Sequence, residues 1–254
     1  MNTEIWNLDG FNQKRTPTEI GTLRFPERFS GRGEAPIRVL DLPIRMPGQG
    51  LRLPSGLAQF GEAIDLARWA EERQVHRDRW DQTYCYITVD QKPVAPGVSQ
   101  RRAGAHSDAY VVDAGGHQLD VTVENASRFP VGTPIERTYL AYDCLPTVCW
   151  EGPFQIKCDP ADCDSVQAGF DQQKEGMGSI QFPPFTVVML TPYDVHEAAP
   201  NLTDSPIERT FVKIAFSTHR YNREGNTHNP LFDYDWEMVP RKTGVREHRF
   251  SLTT

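Results

Sequence analysis

The sequence predicts a mainly β fold of the α+β class, and three observations lead to that prediction. Short segments rich in β-branched and aromatic residues recur along the second two thirds of the chain. Turn signals such as Ala114-Gly115-Gly116 and Pro183-Pro184 separate these segments. A helical period is clear in a single window. Several short strands at this spacing favour a barrel or a sandwich.

The N-terminal region, 1–80, is interpreted as a cap that ends in one supporting helix. The first 55 residues are rich in Pro, Gly and Arg and are expected to be irregular. Over 57–80, apolar residues recur at helical spacing, at Phe60, Ile64, Leu66, Ala67 and Trp69. The charged residues between them would face solvent. The interpretation is a helix packed against the sheet.

The strand-like segments fall between residues 81 and 217, which we take as the core of a single domain covering 1–254. The predicted strands are 83–90, 109–113, 118–125, 138–144, 185–190 and 209–217. The tail, 218–254, shows no regular period and is expected to pack back on this core. Within that tail, 225–236 is rich in turn and aromatic residues and could instead shape the mouth of a substrate site.

Composition narrows the range of functions. The 254-residue chain carries a net charge of −7, which does not favour binding to phosphate backbones. It contains neither an apolar run of the length that spans a bilayer nor a signal-like N-terminus, so we expect a cytoplasmic protein with no membrane partner. The five cysteines include no C-x-x-C pair and are interpreted as free thiols, with a zinc knot from Cys158 and Cys163 as the alternative.

Three widely spaced segments carry side chains suited to a metal. His106-Ser107-Asp108 precedes a predicted strand, His196 follows an apolar one, and Arg209 begins the next strand. Two imidazoles and one carboxylate hold ferrous iron and leave three coordination positions open. An arginine fork can grip a carboxylate beside such a centre. The alternative is that His106 caps a turn while Asp108 pairs with Arg101 or Arg102.

In these residues and their order, the chain resembles the Fe(II)/2-oxoglutarate-dependent dioxygenases. The resemblance covers about 80–217, just over half of the chain, and implies a double-stranded β-helix, or jelly-roll, core. It implies that His106, Asp108 and His196 ligate Fe(II), and that Arg209 binds the far carboxylate of 2-oxoglutarate. The reaction would consume O2 and release succinate and CO2. An aspartate at 108 implies hydroxylation rather than halogenation.

Five further residues enter as cofactor or substrate candidates because of Arg209 and His106. Lys213 shares a strand face with Arg209 and is its rival for the carboxylate. Some family members place a hydroxyl two residues after the arginine, where this chain has Phe211, so Thr210 and Tyr139 are the candidate hydroxyls. Alternation along the strand places Gln100 and Arg102 on the side of His106, facing the substrate; for Arg102 a surface ion pair is the alternative.

Two aromatic residues are also substrate candidates, Tyr86 and Trp150, which would otherwise fill the core and anchor a loop. The function expected from all of this is oxidation of an aliphatic C–H bond of a small polar metabolite. The same chemistry on a nucleobase is the second hypothesis, because 21–54 is locally basic, although nucleic acid is the less favoured partner. The third is a cupin-like metal-binding protein or isomerase without oxygen chemistry. The oligomeric state is left open.

Overall fold

The computed structural model describes residues 8–31, 35–74, 80–101, 103–108, 136–158, 163–217 and 220–238. Two of the predicted strands, 109–113 and 118–125, lie outside the described residues, as does Arg102. In the described parts of the chain, the regular elements are two 3-10 turns, three α-helices and nine strands. No described helix has the length and apolar character needed to cross a membrane.

The strands form two antiparallel sheets. The larger has six strands in the order β1-β7-β4-β9-β3-β2, and the smaller has three in the order β6-β5-β8. Their bounds are β1 Thr18–Thr22, β2 Arg38–Arg45, β3 Tyr84–Val94, β4 Glu136–Tyr142, β5 Thr147–Trp150, β6 Ser179–Gln181, β7 Thr186–Leu190, β8 Val195–Ala198 and β9 Ile207–Ser217.

The two longest strands form the centre of the larger sheet. Strands β3 and β9 pair without a break from Tyr84 opposite Ser217 to Val94 opposite Ile207. The predicted strands at 83–90, 138–144, 185–190 and 209–217 correspond to β3, β4, β7 and β9. These segments are rich in β-branched and aromatic residues, which fit a pleated and buried surface.

The larger sheet buries both of its faces. Side chains alternate along β9, so Val212, Ile214 and Phe216 enter a cluster with the long helix. Phe211 lies on the opposite face, in a second cluster that it shares with Cys149 of the smaller sheet. The two sheets therefore meet through this second cluster, and a space between sheets is available to residues on that face.

The long helix covers the outer face of the larger sheet, as the apolar spacing predicts. A 3-10 turn, Ser55–Phe60, leads into helix α2, Gly61–Gln74, which follows the short helix α1, Pro26–Ser30. Residues 75–79, the last turn of the predicted helix, are not described. Glu71 on α2 is buried and accepts hydrogen bonds from Arg137 at 2.7 Å and from the Tyr139 hydroxyl at 2.8 Å, which tie the helix to β4.

The expectation of an irregular cap over the first 55 residues was wrong in one respect, because this region supplies both edges of the larger sheet. Strand β1 pairs with β7, and β2 pairs with β3. The run over β2 contains buried Val39, Leu42 and Ile44, but Asp41 and Pro43 interrupt its alternation. Asp41 has a φ of 44°, so the pairing is broken by a bulge there, and this irregularity concealed the strand.

The described part of the tail, 220–238, has no helix or strand and packs against β2 and β3. The Thr227 amide donates to the Leu40 carbonyl at 2.8 Å, and Asn229 Nδ2 donates to the Pro43 carbonyl at 2.8 Å. The predicted mainly β class agrees with the two antiparallel sheets. The finer assignment to a double-stranded β-helix stays a prediction.

Four of the cysteines, Cys85, Cys144, Cys149 and Cys158, are free thiols in the described structure. Burial raises the pKa of the Cys149 thiol to about 12, so this residue acts as a small apolar side chain of the core. The side chain of Cys163 lies outside the described residues, so the zinc alternative is not tested.

Candidate metal centre

His196 projects into the space between the two sheets. It lies on β8 opposite Cys149 of β5, and directly opposed residues share a sheet face. Because Cys149 belongs to the cluster between the sheets, His196 points to that cluster as well. The side chain is 5% exposed.

His106 adds to the open edge of β8 through a single bridge to His196. The two residues exchange both backbone hydrogen bonds, at 2.9 Å and 2.8 Å, and so form one antiparallel pair. Their side chains therefore leave on the same face, and the ring centroids are 4.6 Å apart. Residues that are 90 positions apart in the sequence become neighbours through this one pair.

Asp108 completes the group. It follows His106 by two residues, which keeps it on the same face of an extended segment. Its Oδ2 lies 3.9 Å from His196 Nε2, and the three residues offer ligand atoms that all lie within 4.8 Å of one another. This separation is what three ligands around one small cation require. Among the described residues, no ion pair joins Asp108 to Arg101, so the alternative of that pair receives no support.

Both imidazole rings are oriented by backbone carbonyls. Nδ1 of His106 lies 2.9 Å from the Gly104 carbonyl, and Nδ1 of His196 lies 3.0 Å from the Asp194 carbonyl. A carbonyl only accepts, so each Nδ1 carries a proton and donates it, which leaves Nε2 of each ring for another partner. Metal-ligating histidines adopt the same arrangement, in which the ring nitrogen that does not bind the metal donates a hydrogen bond to the protein.

The charge around Asp108 favours its ionised form. Burial alone would raise the pKa of the carboxyl. Lys213 and the two histidines, together with Arg101, outweigh that effect and hold the pKa below its usual value. Asp108 is therefore anionic at neutral pH.

Helix α3, Cys163–Gln173, positions the segment that carries His106, and no helix was predicted at these residues. Asp171 Oδ1 accepts from the Ala105 amide at 2.9 Å, and Gln167 Nε2 donates to the Ala103 carbonyl at 3.3 Å. Gly104 has a φ of +94°, and a Cβ there would meet Gln167 and Asp171 within 3 Å. Only glycine fits this close approach to the helix.

Lys174 connects the two histidine segments. Its Nζ lies 2.8 Å from Asp171 and 2.7 Å from Glu197, the residue that follows His196 on β8. Burial would raise the pKa of Asp171, but hydrogen bonds from Lys174 and from the Ala105 amide hold it below its usual value. The Lys174 ammonium group thus links Asp171, which holds the His106 segment, to Glu197 on the His196 strand.

Arg209 is a fully buried cation on the face of β9 that looks between the sheets. Its exposure is 1%, its Nε donates to the Cys144 carbonyl at 2.9 Å, and one Nη donates to Gln100 Oε1. The other nitrogen, Nη2, is buried and makes no hydrogen bond to any residue that the structure describes. Burial lowers the pKa of Arg209 to about 10, so it remains charged at pH 7. A buried guanidinium with one unmatched nitrogen is a site for an anion.

Gln100, a substrate candidate from the sequence, instead holds Arg209. Its Nε2 donates to the Asp90 carbonyl at 2.8 Å and to the Arg209 carbonyl at 3.1 Å, while its Oε1 accepts from the guanidinium.

Arg101 was not among the predicted site residues. Its guanidinium lies 5.0 Å from the Phe211 ring centre, and that of Arg209 lies 5.1 Å from it, so two cations flank one ring.

Lys213, the rival for the carboxylate, shares the face of Arg209 but pairs with Asp41, at 3.5 Å. The two proposed hydroxyls are not brought to Arg209. The Tyr139 hydroxyl donates to Glu71 on the outer face of the sheet, and Thr210 Oγ1 accepts from Gln91 at 3.3 Å. Both side chains leave the sheet on the face opposite to Arg209, because neighbouring residues of a strand alternate.

The two aromatic candidates pack in other clusters. Tyr86 is buried and stacks on Tyr221 with ring centres 4.0 Å apart. Trp150 lies opposite Val195 in the β5–β8 register, so it leaves the smaller sheet on the face opposite to His196. It packs at the border of a separate apolar cluster.

Comparisons with known proteins find similarity at the level of structure only. No protein-family model matches the chain, and no curated protein matches it. Among solved structures, EvdO2 from Micromonospora carbonacea var. aurantiaca is 17% identical, with a TM-score of 0.36 over 80% of this chain and 94% of that one. AviO1 from Streptomyces viridochromogenes Tue57 is 13% identical, with a TM-score of 0.35 over 83% and 92%. The epimerase SnoN from nogalamycin biosynthesis is 13% identical, with a TM-score of 0.32 over 80% and 81%. Scores this low do not establish a shared fold.

Proposed function

We propose that this chain is a non-heme Fe(II)/2-oxoglutarate-dependent oxygenase that oxidises a C–H bond of a small molecule. One observation supports it above the others. The convergent group His106, Asp108 and His196 shares the space between the sheets with a buried arginine that has one nitrogen without a partner. A keto acid that chelates a metal at one end and has a carboxylate at the other needs a metal site and an anion site in the same space.

The donor set fits ferrous iron. Two imidazoles and one carboxylate form the three-ligand group that holds iron in oxygen-activating enzymes, with positions left for other ligands. The hydrogen bonds from Nδ1 to Gly104 and Asp194 present Nε2 of each histidine for coordination. A structural zinc site would require a fourth protein ligand, and the group of potential ligands found in the described residues has three members.

Arg209 would bind the distal carboxylate of 2-oxoglutarate. Its Nη2 is the unmatched donor, and the bonds from Nε and the other Nη to Cys144 and Gln100 fix the plane of the fork. When iron and 2-oxoglutarate are bound, they supply, with O2, the oxidising power that breaks an aliphatic C–H bond and releases succinate and CO2.

The residues of the chain supply negative charge for the metal, keep Asp108 ionised and exclude water from the anion site. Asp108 supplies the negative charge that balances a divalent ion, and Lys213 and Arg101 keep that carboxylate ionised. Phe211, Leu140 and Tyr142 surround Arg209 with apolar surface, which keeps water from competing for the anion. In such surroundings each hydrogen bond to the carboxylate is stronger than in water.

A small-molecule substrate is favoured over nucleic acid by the state of the basic segment 21–54. Arg45 is buried and donates to the Trp80 and Thr83 carbonyls, Arg38 pairs with Asp90 at 3.1 Å, and Arg52 donates to the Leu231 carbonyl. These three guanidinium groups hold the fold together. They are not arranged as a surface for phosphates.

The test is an anaerobic titration of the purified chain with Fe(II) and 2-oxoglutarate, followed by visible absorption. We expect a weak metal-to-ligand band in the wild type and none in His196→Ala. Arg209→Gln should need at least about tenfold more 2-oxoglutarate, because a charge-assisted bond to a carboxylate contributes about 1.5–3 kcal/mol. Arg68→Gln, on the exposed face of α2, is the matched control and should behave as wild type.

Two results would remove the proposal. One is a band that forms equally well in His196→Ala, which would place the metal elsewhere. The other is the absence of succinate when the wild type is exposed to O2 with iron, 2-oxoglutarate and a broad panel of small metabolites.

A further inference from the structure

Arg101 is a half-buried cation whose guanidinium has no polar partner in the described part of the structure. No described residue shares a hydrogen bond or an ion pair with this group. It packs over the ring of Phe211, with its central carbon 5.0 Å from the ring centre. A contact with a ring face does not satisfy the five N–H donors of an arginine. These donors are therefore available to a ligand.

The position of Arg101 connects the metal group to the buried arginine. Phe211 lies on the inward face of β9, two residues after Arg209 and two before Lys213. Arg101 lies over the middle of this row, and its charge acts on both Asp108 and Arg209. The two guanidinium groups repel each other, so an anion that enters beside Phe211 is attracted by both.

The anions already assigned to this space do not match Arg101. Asp108 forms no ion pair with it among the described residues, and under the proposed function that carboxylate binds the metal. The keto acid has two carboxylates, of which one would chelate the metal and the other would bind Arg209. Arg209 is 1% exposed, whereas Arg101 is half-buried and can be reached from solvent after the keto acid is in place. An anion for Arg101 therefore comes from another molecule.

A carboxylate fits this position better than a phosphate. The planar fork of an arginine binds a carboxylate through two parallel hydrogen bonds. A phosphate monoester carries a charge of about −1.5 to −2 at pH 7 and would need a second free cation. Lys213, the next cation along β9, already pairs with Asp41 at 3.5 Å. One guanidinium with free donors matches one carboxylate.

We infer that Arg101 binds a carboxylate of the substrate and directs an acid toward the metal group. Binding of a carboxylate depends on Arg101 and its surroundings alone, whereas its identity as part of the substrate rests on the proposed function. Under this inference, the small molecule that is oxidised is a carboxylic acid. Its carboxylate lies beside Phe211, and its carbon chain extends toward His106, Asp108 and His196.

Titration followed by ligand-observed NMR in EDTA tests carboxylate binding without any metal. Butyrate is the probe, and butyramide is its uncharged counterpart of similar shape. The parent is the full chain with Arg209→Gln, which removes the anion site assigned to the keto acid. We expect the parent to bind butyrate at least about tenfold more tightly than butyramide. Adding Arg101→Gln should abolish this preference, and adding Arg101→Lys, which keeps the charge but not the fork, should retain part of it. Adding Arg68→Gln, on the exposed face of α2, should change nothing.

Succinate release from the chain with native Arg209 tests the role in the reaction, in the presence of Fe(II), 2-oxoglutarate and O2. Across a panel of small acids and their primary amides, we expect the acids to give kcat/KM values at least about tenfold higher. Arg101→Gln should lose this advantage, while its half-saturating concentration of 2-oxoglutarate stays as in the wild type.

Equal binding of butyrate and butyramide by the parent would overturn the inference, as would a preference that survives Arg101→Gln. If Arg101→Gln raises the half-saturating concentration of 2-oxoglutarate as much as Arg209→Gln does, Arg101 serves the keto acid and the inference is wrong. If butyrate binds at Arg101 but no acid yields succinate, the carboxylate site stands and the proposed function fails. If acids and amides yield succinate equally well, the inference fails alone.

Discussion

At the scale of single residues, the candidate centre depends on acceptors that belong to the backbone. The carbonyls of Gly104 and Asp194 fix the protonated nitrogen of each histidine, and each carbonyl is two residues before its histidine. A local segment of three residues therefore sets the direction of each imidazole ring. This explains how an edge bridge of a single residue pair can present two imidazoles in order.

Gln100 provides a prediction with a definite sign. Gln100→Glu would place a carboxylate against the Arg209 guanidinium and compete with the anion that we assign to Nη2. The affinity for 2-oxoglutarate should fall by at least about tenfold. Gln100→Leu removes the acceptor without adding charge and should have a smaller effect on affinity. Titration of 2-oxoglutarate into both variants measures the order, and a weaker effect for Gln100→Glu would contradict it.

At the scale of elements, helix α3 serves the metal site from outside the space between the sheets. Lys174 lies at its end and pairs with Asp171 and Glu197, so it connects the two histidine segments. Lys174→Met should lower the affinity for Mn(II), a stable substitute for ferrous iron, by about tenfold, as loss of a partner behind the ligands usually does. Lys174→Arg should restore most of it.

The control for that prediction is Lys157→Met, because Lys157 is exposed and is not part of the Asp171–Lys174–Glu197 link. Far-ultraviolet circular dichroism shows whether the fold is kept. If Lys174→Met binds Mn(II) as tightly as wild type, the link between segments is not needed for the site.

The hydrogen bonds that Glu71 on α2 accepts from Arg137 and Tyr139 on β4 contribute to stability alone. Tyr139→Phe removes the hydroxyl that donates to buried Glu71, and the loss should cost about 1–2 kcal/mol of unfolding free energy in urea. The affinity for 2-oxoglutarate should not change, because the hydroxyl lies on the sheet face opposite to Arg209. A rise in the half-saturating concentration of 2-oxoglutarate would instead return Tyr139 to the keto-acid site.

The sequence predicts long elements and the positions of polar side chains on their faces, but not contacts between distant short segments. The apolar run of β7 and the period of α2 were sufficient to place both elements. Strands β5, β6 and β8 have three or four residues each, too few for a period to emerge. The bridge from His106 to His196 has no local signal at all, so their proximity could be expected only from the resemblance.

The same limit explains the misplaced hydroxyls. Thr210 is next to Arg209 in sequence, yet strand alternation sends the two side chains to opposite faces. Tyr139 required knowledge of the β4–β9 register, in which it lies opposite Ile214 and therefore on the outer face. Gln100 reaches Arg209, 109 residues away, and Lys174 reaches Glu197, 23 residues away, so sequence spacing could not reveal these two contacts.

At the scale of the whole molecule, the candidate centre combines residues from both sheets. His106 and Asp108 belong to a segment at the edge of the smaller sheet, His196 to that sheet, and Arg209 to the larger one. Under the proposed function, binding of metal and 2-oxoglutarate is therefore coupled to the packing of the two sheets. Ligands that bind only the folded state stabilise it by an amount that grows with their concentration.

This coupling gives the last prediction. Fe(II) and 2-oxoglutarate together, each at about 100 times its dissociation constant, should stabilise the chain by at least about 2.7 kcal/mol. For a domain of this size, that corresponds to a rise in melting temperature of about 5–10 °C, measured anaerobically by scanning calorimetry. Excess EDTA should reverse the rise, and His196→Ala should show none. Iron alone should give a smaller rise in Arg209→Gln than both ligands give in the wild type, because only the metal half of the site remains. Equal shifts in wild type and His196→Ala would mean that the metal does not join the two sheets at this centre.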